Sequence, residues 1–392
     1  MRIALRGSWI ALVAIAALLA SVAAAQGSVL TRGPYLQSTT RDSAIVVWQT
    51  QTAGDSVVEY GEAGYTQVVS STTPATTHVV SLTGLSAGAT YQYRIGTGHT
   101  LLHTSTLTTA PDPGGAFDFV MVGDSGAGVL GTPYQALLDV AAQMDALDPD
   151  FVLHLGDVIY PDGQAEGYQP YFFNPYRNLL DSAPIFPSLG NHDYHTANAQ
   201  PYLDVFYLPA NNPAGTERYY SFDWGDAHFV ALDSNRLYPI AAVTDTVMLN
   251  WLAADLAATT AEWKFVYFHH APYSSGLHGY EPVIVAMRTI MAPLFEQYDV
   301  DMVFAGHDHI YERSKPQNGV IYIVSGGGGA STYPVVPQEF SAYAERVHHT
   351  VKVRIDGCIL SLRAIKSDGA AIDQIALTKC TNHVYLPLIL KR

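Results

Sequence analysis

A Pro/Gly-rich stretch, Ala110-Pro111-Asp112-Pro113-Gly114-Gly115, separates two unlike kinds of sequence. Before it, from about Thr31 to Thr109, the patterned segments are short and strand-like. They include Ser43–Gln49, Val57–Gly61, Val79–Leu85 and Thr90–Ile95, all rich in β-branched and aromatic residues. After it, short apolar strands alternate with helical stretches. Proline and glycine clusters punctuate chains at such seams. With 392 residues, the chain is expected to hold two domains. Residues 30–110 are expected to form an all-β sandwich. Residues 117–380 are expected to form an α/β layered fold with a mainly parallel core.

Within the second region, Phe117–Val122 reads as a strand and Thr132-Pro133 as the opening of a helix to about Asp145. Strands follow at Phe151–Leu155, Ile185–Leu189, Tyr219–Phe222, His228–Leu232, Phe265–Phe268, Met302–Ala305, Val320–Val324, Val351–Ile355 and Ile359–Ala364. Helices are expected over about 245–258 and 283–298. Gly326–Gly329 reads as a flexible loop without a phosphate-loop pattern. Residues 1–25 read as a signal peptide: Arg2 and Arg6, an apolar run from Trp9, then Ala23-Ala24-Ala25. Export is the expectation, with no stable membrane span after cleavage. Residues 381–392 form an apolar tail, Val384 to Leu390, with a basic pair, and are too short to cross a bilayer. Cys358 and Cys380 flank an expected strand pair, and in an exported protein they could bridge. The formal net charge of −15 argues against nucleic-acid binding. It also means that any site for an anionic substrate must supply its own positive charge, as metal ions do.

Five short motifs stand where strands end: Gly123-Asp124-Ser125-Gly126, Gly156-Asp157-Val158-Ile159-Tyr160, Gly190-Asn191-His192-Asp193, Val266-Tyr267-Phe268-His269 and Gly306-His307-Asp308-His309. In open α/β sheets the loops beyond the carboxyl ends of strands build the site. Carboxylates, imidazoles and an amide oxygen in one place suit first-row metal ions. Two such ions about 3.5–4 Å apart can clamp a phosphate, and a shared carboxylate would keep that spacing. Asp157 is the candidate for the shared group. His154, His195, His228, His348 and His349 carry no motif, and His78, His99 and His103 in the β-region read as surface or packing residues.

Together these motifs resemble the metallophosphoesterase superfamily and, within it, the purple acid phosphatases. The run Gly306-His307-Asp308-His309-Ile310-Tyr311-Glu312-Arg313 is similar to that family's final motif. Tyr160, three residues after Asp157, stands in for the histidine that most of the superfamily carries in the first motif, where this chain has Gly126. The β-region, with Trp48, Gly84-Leu85 and Tyr91-x-Tyr93-x-Ile95, is similar to fibronectin type III domains. The resemblance implies a calcineurin-like metallophosphoesterase α/β sandwich behind that β-domain. It implies a binuclear centre with Asp124, Asp157, Tyr160 and His309 on one metal, and Asp157, Asn191, His269 and His307 on the other. His270 is the alternative to His269. A tyrosinate implies ferric iron, partnered by divalent iron, zinc or manganese.

The implied reaction is hydrolysis of small-molecule phosphate monoesters through attack by a metal-bound hydroxide. His192 and His278 are implied to contact phosphate or protonate the leaving alcohol. Gly279 stands where some plant members carry a further histidine. Two other readings remain at this point. The same metal pair would serve a phosphodiesterase or nucleotide pyrophosphatase. A non-catalytic surface-binding module is disfavoured because every ligand position is filled.

Overall fold

The computed structural model of this protein describes residues 28–97, 100–237 and 246–380. The expected signal segment (1–25), His99 and the tail (381–392) lie outside the described residues.

The first region is all-β. Its strands are β1 (Leu30–Gln37), β2 (Ser43–Gly61), β3 (Gln67–Thr83), β4 (Thr90–Thr97) and β5 (Thr100–Thr108). Ser43–Gln49 and Val57–Gly61, two separate strands by sequence, are one 19-residue strand, β2. Its first half pairs with β1, its second half with β4, and β3 runs along both. Register shifts between Gln49 and Ser56 mark an irregularity in the ladder with β3 rather than a break in the strand. Alternate residues (Val46, Trp48, Val58, Tyr60, Tyr91, Tyr93 and Ile95 among them) fill one apolar core. Trp48 is fully buried and stacks on His78, ring centroids 4.7 Å apart.

The second region carries β6 (Phe117–Val122), the two-residue strands β7 (Gly128–Val129) and β8 (Thr132–Pro133), β9 (Phe151–His154), β10 (Ile185–Pro187), β11 (Tyr220–Trp224), β12 (Ala227–Ala231), β13 (Trp263–His270), β14 (Met302–Gly306), β15 (Tyr311–Ser314), β16 (Ile321–Ser325), β17 (Ser341–Glu345), β18 (His349–Asp356), β19 (Ile359–Lys366) and β20 (Ala371–Thr378). They form two main sheets. The first has the order β10-β9-β6-β18-β19-β20 and the second β11-β12-β13-β14-β16-β15-β17. The strands that matter for function are parallel: β10, β9 and β6 in the first sheet, and β12, β13, β14 and β16 in the second.

The sheets face each other, and the period-2 alternation of the strands shows it. Phe265 and Tyr267 of β13 and Met302 and Phe304 of β14 enter the core between the sheets. Val266, Phe268 and Val303 turn the other way, towards Leu252, Met287, Met291 and Phe295 of the outer helices. Phe119 of β6 packs edge-on against Phe229, at 5.3 Å. The layers are therefore helix, sheet, sheet, helix.

Two sequence expectations are corrected. Thr132-Pro133 does not open a helix. Leu130 and Gly131 both have positive φ (51° and 82°), the backbone of a tight two-residue hairpin, and so Thr132-Pro133 pairs with Gly128-Val129. The helix starts at Gln135 and buries Leu137, Val140, Ala141 and Met144, spaced for one helical face. Gly326–Gly329 is not a flexible surface loop but is buried. The Gly328 N–H donates to the Gly123 carbonyl at 3.0 Å, and a Cβ at Gly326 would lie 2.8 Å from Asp124 Oδ2. The small residues let this loop press against the first motif.

β1 fastens the β-domain to the α/β one. Tyr35 is buried against Phe173, ring centroids 4.8 Å apart, and its hydroxyl donates to the Val205 carbonyl at 2.9 Å. Tyr93 donates to the Asp181 carbonyl at 2.6 Å, and His103 pairs with the Asp181 carboxylate at 2.8 Å. Cys358 and Cys380 form a disulfide.

Candidate metal centre

Five parallel strands end on one rim and bring the five motifs together. β6 delivers Asp124, β9 delivers Asp157 and Tyr160, and β10 delivers Asn191 and His192. From the opposite sheet, β13 delivers His269, and β14 delivers His307 and His309. The backbone is strained where the donors hang. Asp124, Asp157 and His307 have φ of 61°, 53° and 72°, a left-handed region that non-glycine residues hold only when their surroundings enforce it. Gly190 is small out of necessity, since a Cβ there would lie 2.1 Å from Asp157 Oδ1.

The donors fall into two groups that share Asp157. In the first, the Tyr160 hydroxyl lies 3.0 Å from Asp124 Oδ1, 2.9 Å from Asp157 Oδ2 and 3.0 Å from His309 Nε2. In the second, His269 Nε2 lies 3.0 Å from Asn191 Oδ1, 3.3 Å from Asp157 Oδ2 and 3.1 Å from His307 Nδ1. Atoms of Asp124, Asp157 and His269 all lie within 4.8 Å of one another, and all three residues are buried.

The surroundings fix which imidazole nitrogen faces inward. His269 Nδ1 donates to the Leu155 carbonyl at 2.9 Å, and His309 Nδ1 to the Ser331 carbonyl at 2.7 Å. Each Nε2 lone pair therefore points into the cluster, the arrangement in which an outer hydrogen bond orients a metal-binding histidine. Acceptors converge there with almost no hydrogens between them. Burial alone would lower the His269 pKa, yet the Asp157 carboxylate raises it to about 9. A proton on His269 thus stands where a cation would be favoured. The Tyr160 hydroxyl is raised well above 10, by burial first and then by Asp124 and Asp157. Only a strong local positive charge would ionise it. His307 is pushed well below its usual value, by burial and then by His270, His269, His278 and His309, so it stays a neutral donor. This donor set fits a pair of cations.

His269, not His270, faces the cluster. His270 turns its Nδ1 to Ser234 Oγ at 2.8 Å, and its ring packs on His307, centroids 4.6 Å apart. His192 and His278 sit at the open side, with 30% and 29% of their side chains exposed, against 2% for Asp157 and 0% for His269. The His192 ring lies over Tyr160, centroids 4.4 Å apart, with Nε2 3.9 Å from Asp157 Oδ2. The His278 ring packs on His307 at 4.2 Å and its Nδ1 contacts Glu281 at 2.7 Å.

Sequence reasoning missed several supports. Asp193 accepts N–H bonds from Gly190 at 2.9 Å and Val158 at 3.0 Å, tying two motif loops together. Burial, then Asp157, raises its carboxyl to about 7. Asp308 accepts from the His278 N–H at 3.0 Å and from Ser274 Oγ. Tyr333 stacks on His309, centroids 4.2 Å apart. Asp193 and Asp308 were inside the motifs and only their role was hidden. Tyr333 and Glu281 had no local signal.

The chain has relatives among known proteins. Residues 117–311 match the calcineurin-like phosphoesterase family, and residues 32–109 match the purple acid phosphatase N-terminal domain. Purple acid phosphatase 4 of Arabidopsis thaliana is 28% identical over 246 residues, covering 57% of this chain and 71% of that protein. Purple acid phosphatase 15 of Arabidopsis thaliana is 29% identical over 294 residues, covering 64% of this chain and 53% of that protein. A purple acid phosphatase from yellow lupin seeds shares the fold, with a TM-score of 0.73 at 21% identity, over 90% of this chain and 74% of the other. The fold and the rim of donors define a calcineurin-like phosphoesterase. With its N-terminal domain, the chain belongs to the purple acid phosphatase family, a family of metal-dependent phosphoester hydrolases. Membership implies a binuclear metal centre.

Proposed function

We propose that this chain is an exported acid phosphatase that hydrolyses small phosphate monoesters at a binuclear metal centre. The observation that carries it is the position of Asp157, whose Oδ2 lies 2.9 Å from the Tyr160 hydroxyl and 3.3 Å from His269 Nε2. One carboxylate thus belongs to both donor groups. Asp124, Asp157, Tyr160 and His309 would hold one cation. Asp157, Asn191, His269 and His307 would hold the other. A phenol oxygen among the donors favours ferric iron in the first site, and iron, zinc or manganese in the divalent state suits the second. When bound, such a pair activates water and neutralises charge on the phosphoryl group.

The chain's own residues do the rest. His192 and His278 flank the open side, where each can reach a phosphoryl oxygen or the departing alcohol. Glu281 holds the His278 ring by Nδ1, leaving Nε2 for the substrate. The Asp193 and Asp308 bonds keep the loops from drifting, and catalytic groups need positions fixed to a fraction of an ångström. Export is supported by the N-terminal apolar segment and by the disulfide, since such bonds persist outside the reducing cytosol.

The test is metal analysis of the purified protein with its visible spectrum, beside turnover of an aryl monophosphate and a bis-aryl phosphate. Iron plus a second metal, a visible band and faster monoester turnover are expected. Two zinc ions without colour would refute the iron assignment. Preferential diester turnover would refute the monoesterase reading.

A further inference from the structure

The loop that carries His278, between β13 and the helix Pro282–Gln297, belongs to no strand or helix. Side-chain bonds hold it instead, and two carboxylates supply them. Asp308 accepts from Ser274 Oγ at 2.5 Å and from the His278 N–H at 3.0 Å. Gly276 comes so close that a Cβ there would lie 2.4 Å from the Asp308 carboxylate. The second carboxylate is Glu312, which is buried. Its Oε2 accepts the Ser275 N–H at 2.6 Å, and its Oε1 accepts from Ser275 Oγ at 2.6 Å and Ser341 Oγ at 2.5 Å. The Gln338 N–H donates in turn to both hydroxyls, at 3.1 Å and 2.8 Å. One carboxylate thereby clasps the His278 loop to the segment that leads from Tyr333 into β17.

Glu312 is itself firmly placed. β15 pairs with β16 on one side and β17 on the other. Its side chains alternate: Tyr311 and Arg313 reach Asp373, and Glu312 turns to the opposite face. A buried carboxylate is costly unless donors meet it, and bonds to a charged acceptor are among the stronger ones. Two of the donors come from Ser275, in the same loop as His278. The His278 ring packs on His307 and lies 5.9 Å from the Tyr333 ring, centroid to centroid. We propose that Glu312 is a positioning residue, which acts through Ser275 to fix where the His278 ring stands over His307. This rests on the phosphatase reading, in which His278 meets the substrate. Asp308 lies between two metal donors, so its loss would disturb the cations directly. Glu312 lies beyond His309 on β15 and can be changed while the donors stay.

Glu312→Gln is similar in size but sets an amide donor where a carboxylate oxygen accepted. Ser275→Ala keeps the carboxylate and removes one bond. Hydrogen exchange followed by mass spectrometry on the metal-free, full-length protein needs no turnover. Peptides covering 274–278 should exchange about tenfold faster in both variants, with those of β13 and β14 unchanged. The second measurement is kcat and KM for an aryl phosphate, with metal content, in Glu312→Gln, His278→Ala and the double variant. Glu312→Gln should keep the parent's metal content and lower kcat by about tenfold to a hundredfold, the cost of displacing a reacting group by up to about 1 Å, while KM moves by less than about threefold. On the His278→Ala background, Glu312→Gln should cost less than about twofold, because the two act as one unit. Ser275→Ala carries both measurements if Glu312→Gln does not fold, with a kcat loss of about threefold to tenfold. Losses that multiply in the double variant overturn the proposal and make Glu312 a structural residue. Metal loss in Glu312→Gln, or equal exchange at 274–278 in all forms, overturns it too. If the parent turns over no phosphoester, the phosphatase reading falls, and the exchange measurement still decides whether Glu312 holds the loop.

Discussion

Replacing Tyr160 with phenylalanine removes one oxygen and leaves the ring that packs against His192. The hydroxyl has three partners at 2.9–3.0 Å but a single proton, so it satisfies one carboxylate at a time. In the metal-free protein the change deletes one charge-assisted hydrogen bond, worth about 1.5–3 kcal/mol. At about 2–4 °C per kcal/mol, Tm should fall by roughly 3–12 °C. In the metal-loaded protein, the proposed first site would lose one of its four protein donors. Changes in groups that merely orient a donor cost about 10–100-fold in affinity, so loss of the donor itself should cost at least about tenfold, or 1.4 kcal/mol. The assay is metal content per chain after dialysis against graded chelator, with the visible spectrum and aryl phosphate turnover on the same samples. Tyr160→Phe should lose the visible band completely and one metal first. A variant that keeps both the band and two tightly held metals would show that Tyr160 does not ligate.

Three further outcomes are expected. His269→Ala should abolish metal binding and turnover, whereas His270→Ala, whose Nδ1 is turned to Ser234, should keep metal and lose mainly stability; equal metal loss in both would contradict the choice of His269 as the ligand. His228 bonds Asp223 at 2.7 Å and Asp255 at 2.9 Å; burial lowers its pKa, but these bonds outweigh it and raise the value to about 9. Its folded pKa thus exceeds the unfolded value near 6.5, so its contribution is complete below pH 6.5 and fades as pH rises through 9. With a discount for the exposed Asp223, that is about 2–3 kcal/mol, and urea titrations of His228→Gln from pH 5 to 9 should show a flatter pH dependence than the parent. Cys358→Ser should cost about 3 kcal/mol, the chain-entropy value for a closed loop of this size, with no change in metal content.

The five motifs were legible because each packs its chemistry into three or four adjacent residues after an apolar strand. The choice between His269 and His270 was not legible locally. It depends on which face of β13 looks into the sandwich. Phe265 and Tyr267 face the core between the sheets and Val266 and Phe268 face the helices, but a register irregularity against β14 between Phe268 and His270 breaks the alternation just where the two histidines stand. That parity has meaning only once the opposing sheet is known. Gly326–Gly329 misled for a related reason. Four glycines signal freedom in isolation, but here they permit close backbone packing beneath Asp124. The continuity of β2 was hidden by its irregular middle. Thr132-Pro133 mimicked a helix start because proline suits both a first helical turn and a short edge strand. Tyr333 and Glu281 come from distant loops and carry no pattern of their own.

Donors hang from both sheets of the sandwich: Asp124, Asp157 and Asn191 from one, His269, His307 and His309 from the other. Any ion gripped by both sets is a cross-brace against shear between the layers. Stripping it would leave aromatic packing such as Phe119 on Phe229 to resist sliding alone. Loss of metal should therefore be felt as loosened mechanics across the whole sandwich, well beyond the rim where chemistry occurs.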